Sequence, residues 1–105
     1  MSFGANINNG NFAELTCANK VLVVDFWAPW CKNCPQVEKI LQDVEKSSAG
    51  HIGFANSNVE EDGMLASKFG VRSLPSVLIF NDGQVVSQLS GNFSKGQLQE
   101  KLNEV

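Results

Sequence analysis

Short blocks that are apolar throughout alternate along this chain with longer stretches in which apolar residues recur every three or four positions. Residues 20–26 hold Val21-Leu22-Val23-Val24-Asp25-Phe26, apolar toward both sides of a strand, and predict a central strand covered on both faces. Ser76-Val77-Leu78-Ile79-Phe80 predicts a second buried strand with a proline, Pro75, at its mouth. Between them Val37, Ile40, Leu41 and Val44 fall at i, i+3, i+4 and i+7, the spacing of one helical face. That spacing predicts a long helix over residues 34–48, with Glu38, Lys39, Gln42, Asp43, Glu45 and Lys46 on its outer face and Ala49-Gly50 stopping it.

The weaker segments fill in the order. Residues 3–7 predict a short edge strand, followed by a turn at Asn8-Asn9-Gly10-Asn11 in which Asn9 or Asn11 caps a helix. Phe12 and Leu15 give that helix its apolar stripe, and Asn19 ends it. Residues 51–56 predict another short strand. Glu60-Glu61-Asp62 suits the positive end of a third helix, with Met64, Leu65 and Phe69 in the core and Gly70 at its end. Asn81-Asp82-Gly83 signals a hairpin into a partner strand over residues 84–90. Ser94-Lys95-Gly96-Gln97 has the form of a capping box, opening a last amphipathic helix carried by Leu98, Leu102 and Val105. The order β-α-β-α-β-α-β-β-α predicts an α/β protein with one mixed sheet and helices on both faces.

Composition narrows the function classes. A chain of 105 residues, 43% hydrophobic, supports a single domain over residues 1–105. The formal net charge is −3 and no cluster of Lys or Arg occurs, which argues against nucleic acid or an anionic membrane as partner. No apolar stretch approaches the roughly 20 residues that span a bilayer. Met1-Ser2-Phe3-Gly4-Ala5-Asn6 lacks the basic start and apolar block of a secretory signal, so a cytoplasmic location is expected. Three cysteines are too few, and odd in number, for a secreted disulfide scaffold.

The chemistry concentrates at Trp30-Cys31-Lys32-Asn33-Cys34-Pro35, between the central strand and the long helix. Unpaired N–H groups and the positive end of the helix dipole favour an anion there. Cys31, at the tip, is best placed to ionise, and a thiolate is both nucleophile and metal ligand. Two cysteines at this spacing can also close into a disulfide, and a pair that switches between dithiol and disulfide has the minimum equipment for thiol–disulfide exchange. A zinc site would need Cys17 and His51 to converge on this pair, and no second Cys-x-x-Cys or His pair supports it, so no metal is expected. Cys17 reads as a small buried residue, with a regulatory thiol as the alternative; His51 reads as a surface residue and Trp27 as packing beneath the site.

Taken together, Val24-Asp25-Phe26-Trp27-Ala28, Trp30-Cys31-x-x-Cys34, Phe69-Gly70-Val71-Arg72-Ser73-Leu74-Pro75-Ser76, Asn81-Asp82-Gly83 and Gly91 resemble the thioredoxin family over nearly the full length. The resemblance implies a thioredoxin fold, a five-stranded mixed sheet flanked by four helices. It implies protein-disulfide reduction, with no bound cofactor beyond a redox-active Cys31–Cys34 disulfide and with electrons drawn from NADPH through a thioredoxin-reductase-like partner. By the same resemblance Cys31 attacks the client disulfide, Cys34 resolves the mixed disulfide, and Asp25 accepts the Cys34 proton. Pro75 matches a proline held in cis facing the cysteines, and Trp30, Ser73, Leu74, Pro75 and Gly91 would bind the client strand. A monomer is expected. The bland reading of Asp25 is a tolerated polar residue wetted by water; Arg72 is left open between client contact and solvated surface.

Five positions depart from the family pattern. Lys32-Asn33 stands between the cysteines where Gly-Pro is usual, and the lysine charge is expected to favour the Cys31 thiolate and so a less negative potential. Pro35 lies just inside the helix, where its missing N–H does little harm. Lys39 replaces a proline that usually kinks this helix, and Asn56 takes the place of a lysine that often partners the buried Asp. Burial without that cation should drive the Asp25 pKa upward. These departures keep two competitors in view: a more oxidising or client-dedicated thiol exchanger, and a redox-silent binding module of the same fold.

Overall fold

The computed structural model describes residues 4–48 and 50–105. Among the described residues the chain forms β1 (Ala5–Asn6), α1 (Phe12–Ala18), β2 (Val21–Trp27), α2 (Cys34–Ser47), β3 (Gly53–Asn58), α3 (Met64–Lys68), β4 (Ser76–Asn81), β5 (Gln84–Ser90) and α4 (Lys95–Asn103). The strands join in one sheet in the order β1-β3-β2-β4-β5. β1, β3 and β2 run parallel, whereas β4 and β5 are antiparallel to their neighbours. This is the mixed sheet, flanked by four helices, that the order of elements predicts.

β2 is central because its residues are apolar toward both faces. Leu22, Val24 and Phe26 pack with Phe80, Leu78, Ala55 and Ile7, and with α3 through Leu65 and Ala66. Phe12 and Leu15 of α1 and Phe69 close that side. The rings of Phe12, Phe69 and Phe80 lie 5.1 to 5.3 Å apart, centre to centre, in tilted and edge-on pairs. On the other face Val23 packs with Val77 and Ile79, and with Val37, Leu41 and Val44 of α2. Leu98 and Leu102 of α4 complete that layer.

Local chemistry fixes the ends. Asp82 and Gly83 both have positive φ (52° and 82°), the two-residue turn that an Asp-Gly pair favours between β4 and β5. The capping box at α4 forms: Gln97 N–H donates to Ser94 Oγ at 3.1 Å, and Ser94 N–H donates to Gln97 Oε1 at 2.8 Å. Asn11 stands at the N-cap of α1 without capping it through its side chain, which instead donates to Asn6 O at 2.9 Å.

The structure corrects several expectations. Cys17 is exposed, not buried. Met64 is 63% exposed and Val105 also lies at the surface, so neither belongs to the core. The third strand runs Gly53–Asn58, not 51–56, because Asn56 and Ser57 are buried polar residues paired alongside Asp25 and Phe26. The acidic run precedes α3 instead of forming its first turn; Asp62 Oδ1 accepts from Met64 N–H at 3.0 Å. Of the stop at Ala49-Gly50, Ala49 lies outside the described residues, as does Phe3 of the predicted edge strand.

Candidate active site

The segment after β2 turns tightly, with Cys31 N–H donating to Ala28 O at 3.1 Å, and then enters α2 through Asn33. Cys34 is the first residue of α2 and Pro35 the second, a position where no helical hydrogen bond is lost. The two cysteines form a disulfide with their Cα atoms 5.5 Å apart. Cys31 is 9% exposed and Cys34 only 1%, so Cys31 forms the outer edge of the pair. Lys32 and Asn33, between them, are exposed.

A hollow of about 380 Å³, lined by Trp27, Ala28, Pro29, Pro35 and both cysteines, lies against the disulfide. A second, of about 210 Å³, is walled by Trp30, Val59, Ala66, Val71, Arg72, Ser73 and Leu74. Trp30 is 64% exposed, an unusual position for so large an apolar side chain away from a binding surface. The Leu74–Pro75 bond is cis. Ser76 Oγ donates to Ser73 O at 2.6 Å, and Gly91 N–H donates to Pro75 O at 3.0 Å. Trp30, Ser73 and Leu74 therefore share one wall. Gly91 is tied to the proline loop but lines neither hollow, and Pro75 is buried behind it.

Beneath these residues Asp25 is 0% exposed, and neither carboxylate oxygen has a hydrogen-bond partner. It is two residues past Val23, so it shares the sheet face that α2 covers. Its neighbours in register are Asn56 on β3 and Val77 on β4. The Asn56 Oδ1 accepts from Trp27 Nε1–H at 3.0 Å, which links the tryptophan to the buried polar group instead of leaving it as packing alone. Burial, and then the negative field of Glu38, push the Asp25 carboxyl from the ordinary 3.8 up to about 7.

Glu38 is the residue that the helical pattern misplaced. It reads as part of the solvated outer face, yet it is half-buried and its charge reaches Asp25. The signal was its spacing, one helical turn beyond Cys34 on the helix that crosses Asp25. Val59 and Ala66, which wall the hollow at Trp30 with Val71, carried no signal in the sequence, and Val71 entered only within the motif that leads to Pro75. Among the described residues no group of three or more His, Cys, Asp and Glu side chains assembles a metal site. Among the same residues no helix is long and apolar enough to cross a membrane.

A pair of sulfurs closing on one another at the mouth of a helix, over a mixed sheet and beside a cis-proline loop, places the molecule among the thiol–disulfide oxidoreductases. The thioredoxin family model matches residues 4–104. A thioredoxin of Haemophilus influenzae is 32% identical over 105 residues, covering 99% of this chain and 98% of that protein. A thioredoxin of Alicyclobacillus acidocaldarius is 33% identical over 99 residues, 94% of each. The solved structure of a mutant thioredoxin from Halobacterium salinarum superposes with a TM-score of 0.87 at 26% identity, covering 95% of this chain and 88% of that one. The chain belongs to the thioredoxin family.

Proposed function

We propose that the protein reduces disulfides in client proteins, with the outer sulfur attacking and the inner one resolving. The Cys31 thiolate attacks one sulfur of the client disulfide. A Cys31–client bond forms, and the client's other sulfur leaves as a thiolate and takes up a proton. Cys34 then gives its proton to Asp25 and attacks Cys31 Sγ. The Cys31–Cys34 bond forms, the second client thiolate leaves, and two electrons have passed to the client. Trp30, Ser73, Leu74, Pro75 and Gly91 hold the client strand. The oxidised pair is reduced again by a thioredoxin-reductase-like protein drawing on NADPH. Residues 1–105 form one thioredoxin domain, and the protein works as a cytoplasmic monomer.

The observation that carries this reading is the unequal exposure of the two sulfurs, 9% for Cys31 against 1% for Cys34. Only the first can meet a protein disulfide. Lys32 and Asn33 tune the pair toward a less negative potential than Gly-Pro would give. The test is the reduction of insulin disulfides by dithiothreitol with and without the protein. Catalysis is expected from the natural chain and none from Cys31→Ser, while Cys34→Ser should accumulate covalent Cys31–client adducts. A natural chain that does not accelerate the reaction would instead favour a redox-silent binding module.

A further inference from the structure

Among the described residues no cation is paired with Asp25. Its sheet neighbours in register, Asn56 and Val77, are neutral, and neither of its oxygens is hydrogen-bonded. From α4 the same layer receives only Leu98 and Leu102. From α2 it receives Cys34, Val37 and Leu41, and Glu38 at the layer's edge. Lys32 and Lys39, the cations nearest in sequence on this side, are exposed. Glu61 and Asp62 line a polar cleft beyond Trp27 and Asn56, but they are engaged by Asn58 and by the backbone of Asn9 and Met64. Glu38 is thus the charged group set to act on Asp25. Four residues separate it from Cys34, which puts both on one flank of α2, and it is half-buried where Gln36, Lys39 and Gln42 are exposed.

We propose that Glu38 is a positioning residue for the resolving step, its carboxylate making Asp25 a stronger acceptor for the Cys34 proton. This rests on the reading of Asp25 as that acceptor. A thiol is a weak acid, ordinarily near 8.5, and an exposed carboxylate near 4 takes its proton only far uphill. A negative charge near a buried carboxyl disfavours its ionised form, so the more buried group gains proton affinity. Asp25 is the more buried. The gap between donor and acceptor narrows without a metal, a histidine or a lysine. Glu38 itself stays half-exposed on the flank of α2, one helical turn beyond Cys34.

The step can be isolated. Reduced protein treated with Ellman's reagent forms a mixed disulfide between Cys31 and thionitrobenzoate. Cys34 then gives up its proton, attacks Cys31 Sγ and expels the coloured thionitrobenzoate anion, whose appearance is followed by stopped flow across pH 5 to 9. In parallel the Asp25 carboxyl carbon is titrated by NMR in the oxidised protein. In Glu38→Gln, proton affinity at Asp25 should fall about threefold, with a larger fall in Glu38→Lys. The pH profile of release should move to lower pH by the same factor, and Glu38→Asp should restore most of the natural behaviour. An Asp25 titration that stands still in both Glu38→Gln and Glu38→Lys overturns the proposal. Asp25→Asn separates the two levels of inference. If it leaves the pH profile of release intact, Asp25 is not the acceptor and the underlying reading fails. If it abolishes the profile while the Glu38 variants leave it in place, only the role of Glu38 is lost.

Discussion

The two faces of β2 make a controlled comparison within one strand. Toward α1 and α3, Leu22, Val24 and Phe26 meet only apolar partners, among them the three interlocked phenylalanine rings. Toward α2, the series runs through Val21 and Val23 in an apolar layer and then places Asp25 where a third hydrophobe would fit. Both faces are sealed from water, yet one is built for stability alone. The other carries a buried carboxyl without hydrogen-bond partners, at a cost in stability. A carboxylate with no hydrogen bond in a dry layer is a fault by packing standards, and such faults gather where chemistry is done.

The largest test of this contrast is Phe80→Ala. Phe80 is fully buried at the meeting point of the ring cluster, and its truncation should cost about 3–5 kcal/mol in urea unfolding. The rate of disulfide exchange per folded molecule should not change. A large loss of exchange in the folded fraction would mean that the two faces are not separable.

Asp25→Asn should do the opposite. The folded carboxyl titrates near 7 and the unfolded one near 3.8, so between those values the folded state binds more protons. The oxidised protein therefore loses stability as pH rises through that window, by about 4 kcal/mol in full, and the loss is complete above about 7. Below 3.8 the penalty vanishes. Asparagine removes the titration but leaves its own amide underbonded, which costs about 1–3 kcal/mol. The variant should thus be about 2 kcal/mol more stable than the natural chain at pH 8, less stable at pH 4, and slower in exchange. Chemical denaturation at those two pH values reads both signs. A natural chain whose stability rises from pH 4 to 8 would remove the premise.

Patterns carried by neighbouring residues were legible: the apolar runs of β2 and β4, the helical spacing of α2, the Asp82-Gly83 turn and the Ser94–Gln97 capping box all have local causes. The cysteine pair was legible as chemistry for the same reason. What depended on how elements pack was not. Cys17 follows Leu15 by two positions, nearly the opposite side of a helix turning about 100° per residue, so α1 directs it outward. Met64 opens α3 one position before Leu65, and the helix turns Leu65 and Ala66 toward the sheet while Met64 stays outside. β3 extends through Asn56 and Ser57 because the sheet around them supplies partners that a strand pattern cannot reveal. Glu38 looks solvated on a helical wheel, and only the seating of α2 over Asp25 turns it inward.

The smallest expected effect concerns Lys32 and completes the comparison by setting a surface charge against buried ones. Its ammonium lies between the cysteines and is exposed. On the proposed reading it would stabilise the Cys31 thiolate of the reduced protein, with no comparable partner in the disulfide, and so would favour the dithiol and raise the potential. Solvent screens such a charge, and exposed pairs of this kind are worth a few tenths of a kcal/mol. Lys32→Gln should therefore make the potential more negative by only about 10 mV, since 30 mV corresponds to about 1.4 kcal/mol for two electrons. Equilibration with glutathione at low and at high salt measures it. The difference between the two proteins should shrink as salt rises, because the field of an exposed lysine is screened within about a nanometre at 0.1 M. A potential that does not become more negative at low salt would leave the tuning to the groups less open to solvent, buried Asp25 and half-buried Glu38.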